Sequence, residues 1–527
     1  MSASHAGRVV LAYGIKKPRV ENNLLAIHNK KFTHARFQMS ILTQEELLLK
    51  AQKQLNALKK SMLDHSQRRT RIDRVERNLF AELLTLGRTL LKLFAEGAGL
   101  GDEGEQVSKG DRTLYRSDQP RRRPYRSIFG KLSIRRWVYT QGAKKKIEHA
   151  PTDARLGLPH GEYSYVMEDW LQRLCVKEPF AEGVDGLAAI LGAQPCVQTA
   201  EEMNLRMAEH AESFRIAQPA PPATAEATIL VATADGTSVP MHRADRTAAP
   251  SPQAESRKGS TRRAYIGAVY EIEPFVREPQ DVLDELSRKQ AAARRPRPQG
   301  KRLWAEMAAA REGSMTSGSD LVFVEMAIDV SRRDPDRRRT LVCLMDGEQK
   351  LWDLQGEWLD RSVEILDFFH ALQRVRDVSK VVHSKDKKDK SRRDKWVSGQ
   401  VRDLLRGNVE TVIHRWRRLA REAKKQKRWT KNDQETMTSA IGYFCNNRQR
   451  MRYDEYLSQG YPIGSGIAEG TCRNLVKDRM DCTGMHWRLS GARAMLKTRA
   501  LYLTGEWAEF VEYRIQQEQQ TLYQTAA

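Results

Sequence analysis

The chain has no run of apolar residues approaching the roughly 18 that a transmembrane helix needs, which argues against a membrane-spanning protein. It contains only six cysteines in 527 residues, and none of them forms a C-x-x-C pair. This scarcity argues against a disulfide framework. The first residues, MSASHAGRVVLAYGIKKP, lack the apolar core of a signal peptide. These absences together predict a cytoplasmic protein with reduced, scattered thiols.

Acidic residues are also in deficit. The chain has 90 lysines and arginines against 67 aspartates and glutamates, which gives a net charge of +23. Such an excess favours a polyanionic partner. A membrane surface is the competing polyanion, but no amphipathic segment of the sequence is both terminal and aromatic-rich. The composition therefore indicates nucleic acid as the partner.

Three acidic residues stand where a metal-dependent enzyme that acts on phosphodiesters needs them. Asp235 in ILVATADGTSVPM and Asp346 in RTLVCLMDGEQKLWDL each follow an apolar, β-branched run and precede a glycine. This pattern predicts a carboxylate at the carboxyl end of a buried strand, where the chain turns. Glu469, in YPIGSGIAEGTCRNLVKDRM, is predicted to lie about one turn inside a helix whose N-cap is Ser465.

Carboxylates in this pattern suit a pair of divalent cations. Two hard cations about 4 Å apart can activate an oxygen nucleophile and neutralise charge on the leaving oxygen. Mg²⁺ prefers carboxylate and water oxygens, so three carboxylates widely spaced in sequence suffice. The simpler interpretation of either Asp-Gly pair alone is an ordinary turn. The prediction therefore depends on what surrounds both pairs.

Five longer strings resemble bacterial insertion-sequence transposases of the ISKra type. The resemblance extends over most of residues 39–515. The strings are DGTSVPM (235–241), RRAYIGAVYEIEP (262–274), LMDGEQKLWDLQ (344–355), ILDFFHAL (365–372) and YPIGSGIAEGTCRNLVKDRMDCTGMHW (461–487). The last string is long and specific, whereas the two Asp-Gly motifs carry weight only in this order.

The resemblance implies a DDE transposase with an RNase H-like catalytic domain, in which Asp235, Asp346 and Glu469 are both the catalytic and the metal-binding residues. It implies Mg²⁺ as the cofactor, bound as two ions and replaceable by Mn²⁺. The implied partners are the transposon ends and the target DNA, and the synaptic complex would contain a homodimer or higher oligomer. Such a protein is bacterial and associates with the nucleoid.

A D-x-x-H string, Asp367-Phe-Phe-His370, follows the second aspartate. It resembles the C/D-x-x-H motif of several eukaryotic DDE superfamilies. Positions i and i+3 share one helix face, so the two side chains could orient each other or a DNA phosphate. An equally good interpretation is that Asp367 caps a helix and that His370 is satisfied within the core.

The pattern predicts a multidomain α+β protein. A helical N-terminal DNA-binding region precedes an RNase H-like α/β catalytic domain with a mixed sheet, which a basic helical insertion interrupts. The predicted strands of the sheet are 227–234, 263–272, 320–330, 339–345 and 362–366. The predicted segments are a mobile extension (1–38), a mainly helical region (39–215) with a β-hairpin near 125–141, a linker (216–226), the catalytic domain (227–375 and 461–510), the insertion (376–460) and a C-terminal tail (511–527). Met39 begins a good helix start and is a candidate initiator.

Residues 180–210 have the proportions of a helix-turn-helix, in which the second helix enters the DNA major groove. Gln198, Thr199 and Asn204 are then the candidates for exposed base contacts. Most patterns of this kind are ordinary pairs of packed helices, however, and three glutamates on the second helix would repel phosphate. Both interpretations stay open at this point.

The insertion contains two strongly basic stretches, 380–396 and 412–429. Such runs neutralise phosphates and give a salt-sensitive affinity that does not depend on DNA sequence. The candidate DNA contacts in the second stretch are Arg415, Arg418, Lys424 and Lys425. Three tryptophans lie among these charges, and they could stack on unpaired bases or, as we favour, pack in a local core. They are Trp396, Trp416 and Trp429.

Arg473 and Lys477 follow Glu469 at i+4 and i+8 and therefore share its predicted helix face. Arg473 could simply pair with Glu469, which is worth only about 0.3 to 0.5 kcal/mol when exposed. A similar stripe contacts the transposon end in related transposases, so the resemblance implies that both residues bind DNA. Residues 446–448, Asn-Asn-Arg, are weaker candidates for the same role.

The sequence therefore predicts an insertion-sequence transposase that binds terminal inverted repeats, nicks DNA by metal-dependent hydrolysis and joins the freed 3′-hydroxyl to target DNA. A domesticated, catalytically inactive DNA-binding protein and another RNase H-like nuclease are the alternatives. A recombinase that uses a covalent Tyr or Ser intermediate is a further rival, but no Arg/His/Tyr constellation in a coherent helical domain supports it.

Overall fold

A computed structural model gives the fold of the chain. The triad candidate Glu469 and the N-cap candidate Ser465 lie outside the residues that the structure describes, as do residues 222–226 of the predicted linker. No described helix is long and apolar enough to cross a bilayer. The described residues are 25–192, 195–221, 229–245, 261–287, 295–311, 314–383, 390–464, 466, 470, 472–482 and 484–524.

The chain divides into two compact units, residues 1–164 with 519–527, and residues 165–518. In the first unit the opening helix begins at Leu25, inside the segment that the sequence predicts as a mobile extension. Apolar periodicity gave no signal there because this helix is not amphipathic. The elements of this unit are α1 (Leu25–Gln67), α2 (Ile72–Gly97), β1 (Gln106–Lys109), β2 (Arg112–Arg116), β3 (Arg121–Ser127), β4 (Gly130–Arg136), β5 (Tyr139–Thr140) and α3 (Pro151–Arg155).

Strands β3 and β4 form an antiparallel hairpin in the region where the sequence predicts one. It spans residues 121–136 rather than 125–141, because β5 pairs with β2 instead of extending β4. Gly130 follows the turn with a φ of +106°, a left-handed conformation that favours glycine. Ile134 of β4 shares a small core with Ala95 of α2, and this contact seats the hairpin on the helix.

The second unit contains a central sheet and most of the helices, including those of residues 165–217. Its strands are β6 (Ile229–Pro240), β7 (Thr261–Ile272), β8 (Gln299–Met307), β9 (Ala309–Arg311), β10 (Ser314–Thr316), β11 (Thr340–Met345) and β12 (Val363–Leu366). Its helices are α4 (Tyr165–Cys175), α5 (Phe180–Leu191), α6 (Val197–Glu209), α7 (Ala211–Ala217), α8 (Pro279–Leu286), α9 (Gly318–Arg333), α10 (Gln349–Trp358), α11 (Phe368–Val382), α12 (Lys390–Leu405), α13 (Val409–Lys425), α14 (Lys431–Asn447), α15 (Tyr453–Ser458), α16 (Asp478–Met480), α17 (Leu489–Thr504) and α18 (Trp507–Gln519), with a π-helical turn at Cys472–Lys477.

The central sheet is mixed and has five strands in the order β12-β11-β6-β7-β8. β6, β7 and β8 form an antiparallel meander, whereas β11 and β12 run parallel to β6. Alternate residues of the inner strands enter two different cores. Val231 and Val342 pack with α11 to α15, while Ala232 and Cys343 pack with α9 and α10. Helices therefore cover both faces, which explains the continuous apolar runs of β6 and β11.

One predicted strand is a helix. Residues 320–330 form part of α9, although their apolar and β-branched composition favours a strand. The buried positions Val322, Met326 and Asp329 recur at intervals of four and three residues. That spacing is the helical period, which here overrides β propensity.

The remaining strand of the sheet is β8, which coincides with none of the five strands that the sequence predicts. The polar first half of β8 contains a buried cation. Arg302 is 5% exposed and is neutralised by Asp329 at 2.9 Å and Glu506 at 2.8 Å. Because both partners are distant in sequence, the pattern of β8 alone could not indicate a buried strand.

Helices α5 and α6 occupy the predicted helix-turn-helix region. The predicted exposure of Asn204 is wrong, because this residue is 1% exposed. Its Nδ2 donates hydrogen bonds to Gln172 Oε1 at 3.1 Å and to Thr498 Oγ1 at 3.0 Å. The inner face of α6 is therefore fixed against α4 and α17. Gln198 is exposed on the outer face, which it shares with the three glutamates.

The predicted insertion, 376–460, is helical, but its apolar side chains are continuous with the core of the sheet. Trp416 is fully buried and stacks on Phe444 with 4.8 Å between ring centroids. Trp429 is 6% exposed, and Trp396 packs partly buried against the same core. The local-core interpretation of the three tryptophans is confirmed.

Candidate active site

Asp235 and Asp346 lie level with each other on neighbouring parallel strands. The register pairs Cys343 of β11 with Ala232 of β6, and three further residues along each chain lead to Asp346 and Asp235. Side chains alternate along a strand, so both carboxylates belong to the sheet face that α11 to α15 cover. The structure thus brings together the first two predicted site residues.

The predicted turn at Asp235 is wrong. β6 continues to Pro240, and Asp235 pairs with Ile266 in an unbroken ladder with β7. The glycine after it serves a different purpose, since a Cβ on Gly236 would collide with the guanidinium group of Arg263. Only at Asp346 does the strand end as predicted.

Backbone hydrogen bonds orient both carboxylates. The backbone N–H of Gly236 donates to Asp235 Oδ1 at 2.6 Å, and the backbone N–H of Glu348 donates to Asp346 Oδ1 at 2.9 Å. The indole N–H of Trp352 donates to the Asp346 carbonyl at 2.7 Å, which fixes the turn into α10.

The electrostatic surroundings of Asp346 are those of a crowded acidic site. Burial raises the pKa of Asp346, and the negative charge of Asp235 raises it further. The hydrogen bond from the Glu348 backbone and the charges of His370 and Arg263 oppose this rise in pKa. Because the causes that raise the pKa outweigh those that lower it, the charged form of Asp346 is disfavoured in the folded protein.

Glu348 is a third carboxylate at this site, which the sequence analysis missed. Burial raises its pKa, and so do the charges of Asp346 and Asp235, while Arg263 lowers it. Glu348 forms an ion pair with Arg263 and accepts a hydrogen bond from Tyr265 Oη at 3.4 Å. A signal was present, because an acidic residue two positions after Asp346 and directly before a helix is well placed to face the same strand end.

The D-x-x-H residues have separate roles. Asp367 is fully buried and caps α11, accepting hydrogen bonds from the backbone N–H groups of Phe369 at 2.6 Å and His370 at 3.3 Å. The capping interpretation of Asp367 is therefore confirmed. His370 is half-buried and lowers the pKa of Asp346 through its charge, so it lies beside this carboxylate.

Helix α14 of the insertion reaches the strand end through Tyr443. A Cβ on Gly347 would collide with the Tyr443 ring and would lie 2.9 Å from Asn447 Nδ2. Burial raises the pKa of Tyr443, and the charge of Asp346 raises it too. Asn447, a predicted DNA contact, is instead buried and donates to the Tyr443 carbonyl at 2.9 Å. Its role here is packing.

The segment that follows Glu469 is held by two buried arginines. Arg479 donates to the Cys175 carbonyl at 2.7 Å and lies 4.9 Å from the Trp487 ring centroid. Arg499 donates from Nε to the carbonyls of Asn474 at 3.0 Å and Leu475 at 3.1 Å. These anchors fix the backbone directly after the undescribed stretch.

Of the two residues predicted to share the Glu469 stripe, only the side chain of Lys477 falls within the described part of the chain. Lys477 is exposed and lines an open groove with Gly236, Arg263 and Asp481. The groove therefore runs beside the strand that carries Asp235. The side chain of Arg473 lies outside the described residues.

The predicted DNA contacts on α13 differ in their availability. Arg415 is half-buried and donates a hydrogen bond to Gln400 at 2.9 Å. Its charge is already neutralised by Asp403 at 2.8 Å. Arg418 is exposed and only loosely paired with Glu422 at 3.8 Å. Lys424 and Lys425 are exposed. In the following region Asn446 is exposed, and Arg448 lies 3.6 Å from Glu410.

The donor set fits a hard divalent cation only in part within the described residues. No group of three His, Cys, Asp or Glu side chains is gathered there as ligands. Asp235 and Asp346 lie on one face of the sheet and could supply two of the oxygen ligands that such a cation prefers. Glu348 is close but engaged by Arg263. A complete site needs a further ligand, and the predicted one is Glu469.

In comparisons with known proteins, the chain matches no protein-family model and no curated protein.

Proposed function

We propose that this protein is a DDE transposase of an insertion sequence of the ISKra type, with an RNase H-like catalytic domain in residues 227–375 and 461–510. It would bind the terminal inverted repeats of its element, cleave DNA with Mg²⁺ or Mn²⁺, and join the freed 3′-hydroxyl to target DNA. The proposal starts from the resemblance of the sequence and draws its structural support from the acidic site.

The observation that carries the proposal is the pairing of Asp235 and Asp346. They are 111 residues apart in the chain, yet the register places them level on adjacent strands, and the charge of Asp235 acts on the pKa of Asp346. An ordinary Asp-Gly turn has no reason to bury a carboxylate beside another. The mixed sheet with β6 at its centre supports the RNase H-like assignment, because that arrangement is what brings the two strands together.

Each residue has a proposed task. When bound, a pair of divalent cations activates water and stabilises the leaving oxygen of a phosphodiester. Asp235 and Asp346 would hold these cations, with Glu469 as the third carboxylate. Lys477 and Arg263, on the groove beside β6, would hold a DNA phosphate near the acidic pair. His370 adds positive character next to Asp346.

The charge of the chain supports DNA as the partner. The outward side of α13 carries exposed Arg418, Lys424 and Lys425, and a net charge of +23 favours a polyanion. A homodimer or higher oligomer would process two ends together. The proposed location is the bacterial cytoplasm, at the nucleoid.

The test is a cleavage assay on supercoiled plasmid that carries the DNA flanking the coding sequence. We expect nicks with 3′-hydroxyl ends and joined products with Mg²⁺ or Mn²⁺, and none with EDTA. Asp235→Asn should lose this activity at least about 100-fold while it retains DNA binding, since only metal ligation is removed. Asp353→Asn is the matched control, because Asp353 is exposed on α10 and undergoes the same chemical change.

The outcomes separate the alternatives. A protein-DNA adduct that survives denaturant would identify a covalent recombinase. DNA binding without cleavage would identify an inactive DNA-binding protein. Cleavage without any strand joining would favour another nuclease of this fold. Near-normal activity of the Asp235 variant would remove the acidic pair from the mechanism.

A further inference from the structure

The hairpin of β3 and β4 has one buried face and one basic face. Its register pairs Arg122 with Arg135 and Arg126 with Lys131. Because side chains alternate along a strand, these four residues share one face. On the opposite face Leu132 and Ile134 are buried, at 8% and 5% exposure. The basic ribbon, as we name this outer face, is defined by Arg122, Arg126, Lys131 and Arg135.

Acidic partners neutralise the two faces unequally. On the inner face a single carboxylate, Asp153, pairs with both Arg123 at 2.6 Å and Arg136 at 2.7 Å. On the basic ribbon Arg126 lies 2.7 Å from Glu162, and Arg135 lies 3.4 Å from Glu96. Two of the four positive charges of the ribbon are therefore not neutralised by these two carboxylates.

The two charges left over are those of Arg122 and Lys131. Within the described part of the chain neither side chain has an acidic partner. Both are exposed and stand on different strands of the ribbon. The ribbon therefore presents a net positive surface to solvent along both strands.

This arrangement costs stability in the isolated protein. Like charges directly opposite each other across an antiparallel pair are destabilising, and the ribbon contains two such pairs, Arg122 with Arg135 and Arg126 with Lys131. An anionic ligand that lies along the ribbon would remove the repulsion, so the charge pattern is better suited to a bound state than to a free one.

We infer that the basic ribbon is a binding surface for the phosphates of duplex DNA, an inference that rests on the proposed function for its partner. Two paired strands lie about 4.8 Å apart, and a two-stranded ribbon fits the major groove of B-DNA, which is about 12 Å wide. Arg122 and Lys131 stand on different strands and can reach phosphates on the two sides of such a groove. The ribbon belongs to the first unit, whereas Asp235 and Asp346 belong to the second. The inferred DNA-binding surface and the candidate active site thus belong to different units of the chain.

The experiment compares two variants of the full chain that lose the same charge. Arg122→Gln with Lys131→Gln alters the ribbon, and Lys145→Gln with Lys146→Gln alters exposed lysines of the same unit that lie outside it. Affinity for the duplex used in the cleavage assay is measured between about 50 and 200 mM salt, where counterion release dominates. The ribbon variant should lower the slope of log affinity against log salt by about 1.8, because each lost phosphate contact changes it by about 0.9. The control variant should leave the slope near that of the wild type.

Thermal unfolding separates binding from structure. The ribbon variant should keep or raise the Tm, because its substitutions remove cross-strand repulsion. A lower Tm together with weaker binding would show a structural role and overturn the inference. An equal slope in the ribbon and control variants would also overturn it. If the wild type cleaves DNA but the ribbon variant leaves the salt slope unchanged, only this inference is wrong. If the ribbon variant lowers the salt slope but the wild type does not cleave DNA, only the proposed enzymatic function is wrong.

Discussion

The guanidinium group of Arg263 on β7 is bonded to the carboxylate of Glu348, two residues beyond Asp346. The Arg263 side chain is 47% exposed and that of Glu348 only 20%. The pair therefore places one exposed cation and one largely buried anion beside two aspartates. This difference in exposure predicts how the stability of the protein changes when either partner is removed.

Removal of the two partners should have unequal effects. Arg263→Gln leaves Glu348 confined beside two like charges and should cost roughly 1 to 3 kcal/mol of unfolding free energy. Glu348→Gln leaves Arg263 free to meet water and should be nearly neutral. Denaturant unfolding of both single variants and the double variant measures the difference. Equal costs for the two single variants would contradict the proposed crowding of the acidic site.

Asp346→Asn should stabilise the protein in the absence of metal. Because the pKa of Asp346 is raised in the folded state, the unfolded chain releases this proton first as the pH rises. Stability is therefore lost as the pH rises from about 4 through the folded pKa. At pH 7 in EDTA the variant should have the higher Tm, and the difference should vanish below about pH 4. Mg²⁺ should raise the Tm of the wild type only. A lower Tm for the variant at pH 7 would contradict this assignment.

Gly347→Ala should disturb the contact between the strand end and the insertion. The added Cβ meets the Tyr443 ring and Asn447, and overpacking of this kind typically costs about 1 to 3 kcal/mol. DNA cleavage should fall with it, because α14 must shift away from Asp346. Gly356→Ala is the control, since nothing lies within 4 Å of its added Cβ, and a helical glycine-to-alanine change gains up to about 1 kcal/mol. Rescue of Gly347→Ala by Tyr443→Ala would identify the clash, and its failure would refute it.

Asn204→Ala should test whether α6 is scaffold. The change removes the two hydrogen bonds that Asn204 donates to the buried side chains of Gln172 and Thr498, and it should cost roughly 1 to 3 kcal/mol. The ratio of affinities for flanking and random DNA should stay constant when it is measured at one salt concentration. Gln198→Ala, on the exposed face, should change neither quantity. A lower affinity ratio in the Gln198 variant would restore the DNA-reading interpretation of residues 180–210.

The exposed charges of α13 should contribute to DNA affinity, but Arg415 should not. Replacement of Arg418, Lys424 and Lys425 by Gln should lower the salt slope by up to about 2.7, at about 0.9 for each contact. Arg415→Gln should instead reduce stability, because it breaks contacts with Asp403 and Gln400. A change in slope from the Arg415 variant alone would contradict this division.

The strands before Asp235 and Asp346 could be predicted from the sequence because parallel strands buried on both faces have continuous apolar runs. It failed at α9, where the same composition belongs to a helix, and at β8, where a buried Arg302 depends on acids far away in the chain. The local sequence pattern gives no information about such distant partners. The sheet could therefore be predicted in outline but not strand by strand.

The acidic pair was predictable for the same reason, whereas its surroundings were not. Glu348 and Tyr443 come to Asp346 through the start of α10 and through a helix almost 100 residues further along the chain. The burial of Asn204 and Asn447 likewise arises from helices packed across the sheet or against α17. A polar residue on a predicted helix does not reveal which face will be covered.

The basic helices of residues 376–460 share one apolar core with the strands that carry the acidic pair. They are consequently not a module that could be removed or grafted onto another protein, since their excision would uncover β6 and β11. The exposed residues on the outward side of α13 can change one at a time at little cost in folding. If the proposed function is correct, the affinity for DNA can be altered through these exposed residues, while the inward side of the helix packs against the core beneath the strands.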